Sequence, residues 1–247
     1  MQSGDSDPSE RCSIANLSPA DLVPLLCKQC GLHLEGGDQA AMFVCTNCGL
    51  VHEPVEGGFT AFSPLSATPT TGLPLGDYVQ NLAVWRVAVE VKAGAESAWE
   101  RIKKVAAPEP AYVYVPAFSL ARMVVHRLGG SLTQMQPRLE LRPGLKASNF
   151  VHPQLVGIDD PTIEEYSLGP TFGAISPVLI GRADAHSLAH FVYLAVESSD
   201  KHELHAVEYE LQATSEDLVF LPAVWDPRQV HESNWRLLLR EFDGLVA

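Results

Sequence analysis

Four of the five cysteines in this chain form two pairs, Cys27-Lys28-Gln29-Cys30 and Cys45-Thr46-Asn47-Cys48, separated by fourteen residues. No other feature of the 247 residues restricts the fold as narrowly. Two thiolates three positions apart on a tight turn occupy two of the four positions around a tetrahedral cation, and a second such turn closes the shell. Gly31 and Gly49 follow the pairs, where a positive φ lets the backbone turn without a Cβ clash. Between the pairs, Leu32 to Leu34 and Ala41 to Val44 have the pattern of short strands, and Glu35-Gly36-Gly37-Asp38 supplies the turn. Upstream, Ser18-Pro19-Ala20-Asp21 reads as a helix start.

On these residues, roughly 22–55, the chain resembles a zinc ribbon of the rubredoxin-like four-cysteine kind. The resemblance implies one structural zinc ion (Zn2+) held by Cys27, Cys30, Cys45 and Cys48. It implies no single function, because such ribbons occur in transcription factors, ribosomal proteins, enzyme inserts and protein-binding adaptors. Iron is one alternative, although rubredoxins usually fill a longer gap with aromatic residues, and here no aromatic precedes Phe43. A pair of disulfides is the other, disfavoured in a chain without a secretory leader. Four thiolates leave no open position for a substrate, so the metal is expected to be structural. His33 and His52 are read as flanking strand residues, and Cys12 as a spare thiol.

Charge divides the chain. The net formal charge is −13, with −8 in residues 1–100, +6 in residues 101–146 and −11 in residues 147–247. The basic window holds Arg101, Lys103, Lys104, Arg122, Arg127, Arg138, Arg142 and Lys146. An acidic chain repels a phosphate backbone, so nucleic acid is not the expected partner. The opening residues MQSGDSDPSE lack the basic and apolar regions of a leader, and no apolar run approaches the ~20 residues that span a bilayer. A cytoplasmic protein without a membrane segment is the expectation.

The organisation read from composition is a flexible tail at 1–21, the ribbon at 22–55, a Pro/Gly/Thr-rich linker at 56–76, and an α+β domain at 77–247. Within that domain, strands are expected at Trp85 to Val91 and Tyr112 to Val115. Helices are expected at Glu96 to Ala106, from Ser119 to a stop at Gly129-Gly130, and from Asp184 onward. In the second of these, Leu120, Met123, Val124 and Leu128 would form the buried face. Leu204 to Ala213 and Leu218 to Leu221 read as a hairpin about Thr214 to Asp217, and Trp235 to Phe242 as a last strand. Trp85 to Gly94 and Trp235 to Gly244 share a spacing that would suit two similar β-units.

Outside the ribbon, His186 and His190 are one helical turn apart but lack the glutamate of a zincin motif, and His202 and His205 adjoin charged residues. These four, with Asp159, Asp160, Glu164 and Glu165, read as solvated polar positions. No nucleophile elbow, P-loop or dinucleotide fingerprint is present, and no catalytic residue is assigned. Three functions stay open. The chain is a non-catalytic protein-binding or assembly adaptor, a nucleic-acid or transcription-associated ribbon protein, or an enzyme with an accessory ribbon and a pocket in the α+β domain. The first is the working expectation.

Overall fold

The structure, a computed structural model, describes residues 24–34, 36–71, 79–92, 97–145, 175–200, 209–225 and 235–242. The readings of the 1–21 tail, of Cys12, of Asp159 to Glu165 and of His202 and His205 lie outside these residues. The class is mixed α+β: a small antiparallel sheet near the N-terminus, then a larger mixed sheet with helices.

The small sheet is a meander of β1 (Phe43–Val44), β2 (Val51–Val55) and β3 (Gly58–Phe62). β3 therefore lies in the stretch read as a linker, and so does β4 (Leu65–Ala67), which belongs to the larger sheet. Glycine and threonine content suggested a spacer. Phe59 and Phe62 override it, because their rings pack on Phe43 and Trp85 and hold the strand in register with β2.

The larger sheet has the order β6 (Tyr112–Pro116), β5 (Val79–Lys92), β8 (Glu210–Trp225), β4, β7 (Leu141–Pro143), with β9 (Trp235–Leu237) beside β8. Its spine is β5 paired antiparallel with β8 along both their lengths. β5 faces two cores. Ala83, Trp85 and Val87 enter one, Leu82 and Val84 the other, so the strand reads as a continuous apolar run. β6 pairs with β5, β4 lies parallel to β8, and β7 closes on β4.

No hairpin forms at Thr214 to Asp217. β8 runs straight through, since β5 is long enough to pair with all of it, and Arg86–Asp217 and Lys92–Glu210 ion pairs tie the two strands. A bulge takes up the extra residue, with Thr214 Oγ1 donating to Ala88 O. The last strand is shorter than expected: β9 is Trp235–Leu237, followed by a 3-10 turn at Arg240–Phe242. The Trp85 and Trp235 segments flank β8 in one continuous sheet, and only Trp85 is fully buried.

Helix α1 (Ala98–Ala106) and helix α4 (Arg182–Asp200) cover the first core. α4 buries Ala185, Ala189, Val192, Tyr193 and Val196, a stripe of helical period. Glycine does not stop the helix after Ser119. α2 (Arg122–Val124) passes through a π-helical turn (Val125–Gly129) into α3 (Gly130–Met135), which ends at Gln136 with φ 45°. Gly129 is there for closeness: a Cβ would stand 2.8 Å from Tyr114 O. The expected apolar face is also displaced. Val124, Val125 and Leu132 are buried, whereas Leu120 and Met123 are exposed. α3 then guards the outer edge of β6, where Tyr114 N donates to Thr133 Oγ1 and Tyr112 N to Gln136 Oε1. Among the described residues, no helix is long and apolar enough to cross a membrane.

Candidate metal centre

The two cysteine pairs fold into equivalent turns. In the first, the Gly31 amide donates to Cys27 O (2.8 Å) and the Cys27 amide to Leu32 O (2.8 Å). In the second, the Gly49 amide donates to Cys45 O (2.8 Å) and the Cys45 amide to Leu50 O (2.9 Å). Gly31 and Gly49 close them at φ 75° and 74°, the left-handed region in which a side chain is strained.

This geometry brings all four sulfurs within 4.8 Å of one another. Cys27 Sγ is 3.5 Å from Cys48 Sγ, and Cys30 Sγ is 3.4 Å from Cys45 Sγ. These separations exceed a disulfide bond of about 2.0 Å. They approach the edge of about 3.8 Å expected for a sulfur tetrahedron with metal bonds of ~2.3 Å. The four thiols are free, and the donor set suits a soft or borderline cation. Each knuckle contributes one end of both close contacts, so neither can hold a metal alone.

The thiols are unequal. The Leu32 amide, then the Asn47 side chain, lower Cys30 to about 6, so it is a thiolate at neutral pH. Burial raises Cys45 and pushes Cys48 to about 12. Those two lose their protons readily only to a bound cation, which couples metal uptake to proton release.

Around the sulfurs, Leu34 and Phe43 form a small apolar shell. His52, directly across from Phe43 on β2, is fully buried beside Phe59, and among the described residues neither of its ring nitrogens has a hydrogen-bond partner of good geometry. Burial, as the largest cause, lowers its pKa. His33 is exposed at an isolated bridge to Leu26. Among the described residues, the four cysteines are the one group of this kind that could hold a metal ion.

The centre is seated on the larger domain. Ala41 N donates to Val178 O (2.8 Å), and Met42, Val44 and Val51 share the first core with Trp85 and Val178. Gly49 lies so close to Leu145 that a Cβ would come within 2.4 Å of its carbonyl oxygen. Arg182, at the start of α4, bonds Glu53 of β2 through Nε (3.3 Å) and Glu216 of β8 through Nη1, over the rings of Phe62 and Trp85.

The remaining candidates do not converge. His186 Nε2 meets Glu216 (3.1 Å) and His190 Nδ1 meets Tyr209 Oη (3.4 Å), so each imidazole of the pair has its own partner. Arg101, Lys103, Lys104, Arg122, Arg127, Arg138 and Arg142 are all exposed, as a solvated basic window would be. One feature escaped sequence reading, the Arg182–Glu53–Glu216 cluster; a second, Glu197 of α4, continues the His186 and His190 face that reads as solvated, and the fold buries it instead. The Glu197 carboxylate is buried and accepts from Ala98 N (3.0 Å) and Trp99 N (3.2 Å), capping α1. Ser97, at the cap position itself, makes no such bond.

Two clefts stand out among the described residues. One of about 500 Å³ lies between the Gly37 to Gln39 turn, Phe118 and Trp235. The other, of about 200 Å³, is bounded by Arg86, Tyr112 and Gln136. Comparison with known proteins finds no matching family model, curated protein or solved structure.

Proposed function

We propose that this is a non-catalytic zinc-ribbon protein whose work is to bind another protein. In this reading the zinc ion on Cys27, Cys30, Cys45 and Cys48 shapes the ribbon and takes no part in chemistry. The observation that carries it is the closed donor set: four mutually close thiol sulfurs fill a tetrahedral shell, with no vacant position where a substrate could coordinate. Zinc fits better than iron because the gap before Phe43 lacks the aromatic wrapping of a rubredoxin. The chain's charge of −13 favours a protein partner over nucleic acid.

Two measurements test the reading. Purified protein should bind duplex and single-stranded oligonucleotides no tighter than the weak non-specific range of ~10⁻⁴ to 10⁻⁶ M at near-physiological salt. A native pull-down should recover a protein partner in stoichiometric amount. Submicromolar oligonucleotide binding, abolished by Arg122→Glu with Arg127→Glu, would replace the adaptor with the transcription-associated alternative.

A further inference from the structure

We infer that the larger cleft and the helix beside it form a docking site for an acidic segment of a partner protein carrying one bulky apolar side chain. This rests on the protein-binding reading above and names the kind of partner.

Phe118 and Trp235 meet edge to face in the cleft lining, with ring centroids 6.5 Å apart, and Val124 and Leu179 add apolar walls. Gln39 and Ser176 supply polar edges. An opening of about 500 Å³ with an aromatic wall and a few polar groups suits a single large anchor side chain. From Phe118 the chain passes through a short extended segment into α2, and the exposed side chains between Leu120 and Arg127 are mostly apolar and basic. Leu120 is 60% exposed and Met123 41%. Arg122, His126 and Arg127 are exposed between and beyond them, and Arg122 is held over the Phe191 ring at 5.5 Å.

Leu120 lies in the extended segment just ahead of α2, Met123 on α2 and Arg127 in the π-helical turn that follows, so exposed apolar and basic side chains alternate along one short stretch of chain. No acidic residue occurs from Pro110 to Leu139, so nothing along this stretch of chain offsets the arginines. A basic, half-apolar face on a chain of −13 is complementary to carboxylates interleaved with apolar residues. Asp38 lies at the ribbon side of the cleft and sets the direction. The partner's anchor packs into the cleft against the Phe118–Trp235 pair, and its carboxylates run over the Leu120 to Arg127 stretch, away from Asp38.

The test is selection of random twelve-residue peptides displayed on phage against the full-length, zinc-loaded protein. Enriched peptides should be net acidic and carry one Phe, Trp or Leu. Their synthetic forms should lose about tenfold or more in affinity on Arg122→Glu with Arg127→Glu, and a comparable amount on Leu120→Asp. The milder Arg122→Gln with Arg127→Gln should lose less, and Lys103→Glu with Lys104→Glu on α1 should leave binding unchanged, which separates this face from general charge. Peptides that are not acidic, or that bind the α2 variants undiminished, would overturn the site while leaving a protein-binding function standing. No enrichment, with binding instead to oligonucleotides, to phosphatidylcholine–phosphatidylserine vesicles or to a second copy of this chain, would overturn the site and the partner class together.

Discussion

The Arg182 guanidinium lies 3.3 Å from the Glu53 carboxylate, joining the first turn of α4 to the second strand of the cysteine-bearing sheet. The same guanidinium reaches Glu216 on β8 and covers Trp85 at 5.6 Å. Four elements thus meet at one side chain, and the ribbon and the larger sheet share a core there. Arg182→Ala should lower unfolding free energy by about 1–2 kcal/mol, a figure held down by solvent screening at a partly exposed cation. Arg182→Lys should recover only part of it, since an ammonium cannot fork to two carboxylates. Urea titration measures both. The same seating means that Glu56 to Thr71 should resist limited proteolysis as well as β5 does, against the separable linker that composition suggested.

Glu197 stabilises α1 from outside the helix. Glu197→Ala leaves the buried Ala98 and Trp99 amides without acceptors and should cost about 2–3 kcal/mol. Glu197→Gln retains one acceptor oxygen and should fall between. Melting temperatures of the two variants, with helix content followed by circular dichroism, check the order.

The legible parts of this molecule were those written locally. Cysteine spacing and two glycines encode each knuckle within a few residues, and Tyr112 to Val115 declares a buried strand by itself. What sequence hid depends on partners far along the chain. Thr214 to Asp217 carries turn chemistry, yet fourteen residues of β5 lie opposite β8 and hold it extended. Gly129-Gly130 looks like a stop, and only the closeness of Tyr114 shows it to be a contact. Arg182, Glu53 and Glu216 are ordinary surface residue types until the fold places them together.

The two knuckle glycines should respond differently to the same substitution. Both have positive φ, so alanine costs about 1–2 kcal/mol of backbone strain at either. At Gly31 the space is open and that is the whole cost. At Gly49 the new methyl meets Leu145 backbone, so the turn must move away from the larger domain. Gly49→Ala should therefore be the more destabilising by at least about 1 kcal/mol and should weaken metal retention in a chelator competition, whereas Gly31→Ala leaves retention nearly unchanged.

His52 gives the ribbon an acid sensitivity. Burial lowers its pKa below 6.5, so between that value and the folded one the unfolded chain binds a proton that the folded chain does not. Stability therefore falls as pH drops below about 6.5. His52→Leu removes the buried ring nitrogens and should be neutral or stabilising at pH 7. The gap between wild type and variant should widen as pH falls from 7 to 5.5, which denaturant titration at each pH reads directly. A constant gap would mean that the imidazole protonates without penalty.

Binding of a single zinc ion by the four cysteine thiolates is tested most directly by elemental analysis and X-ray absorption on protein purified without added metal. One zinc per chain is expected, with four sulfur neighbours at ~2.3 Å and no nitrogen or oxygen in the shell. Iron in place of zinc, a shell containing lighter atoms, or no retained metal would contradict it.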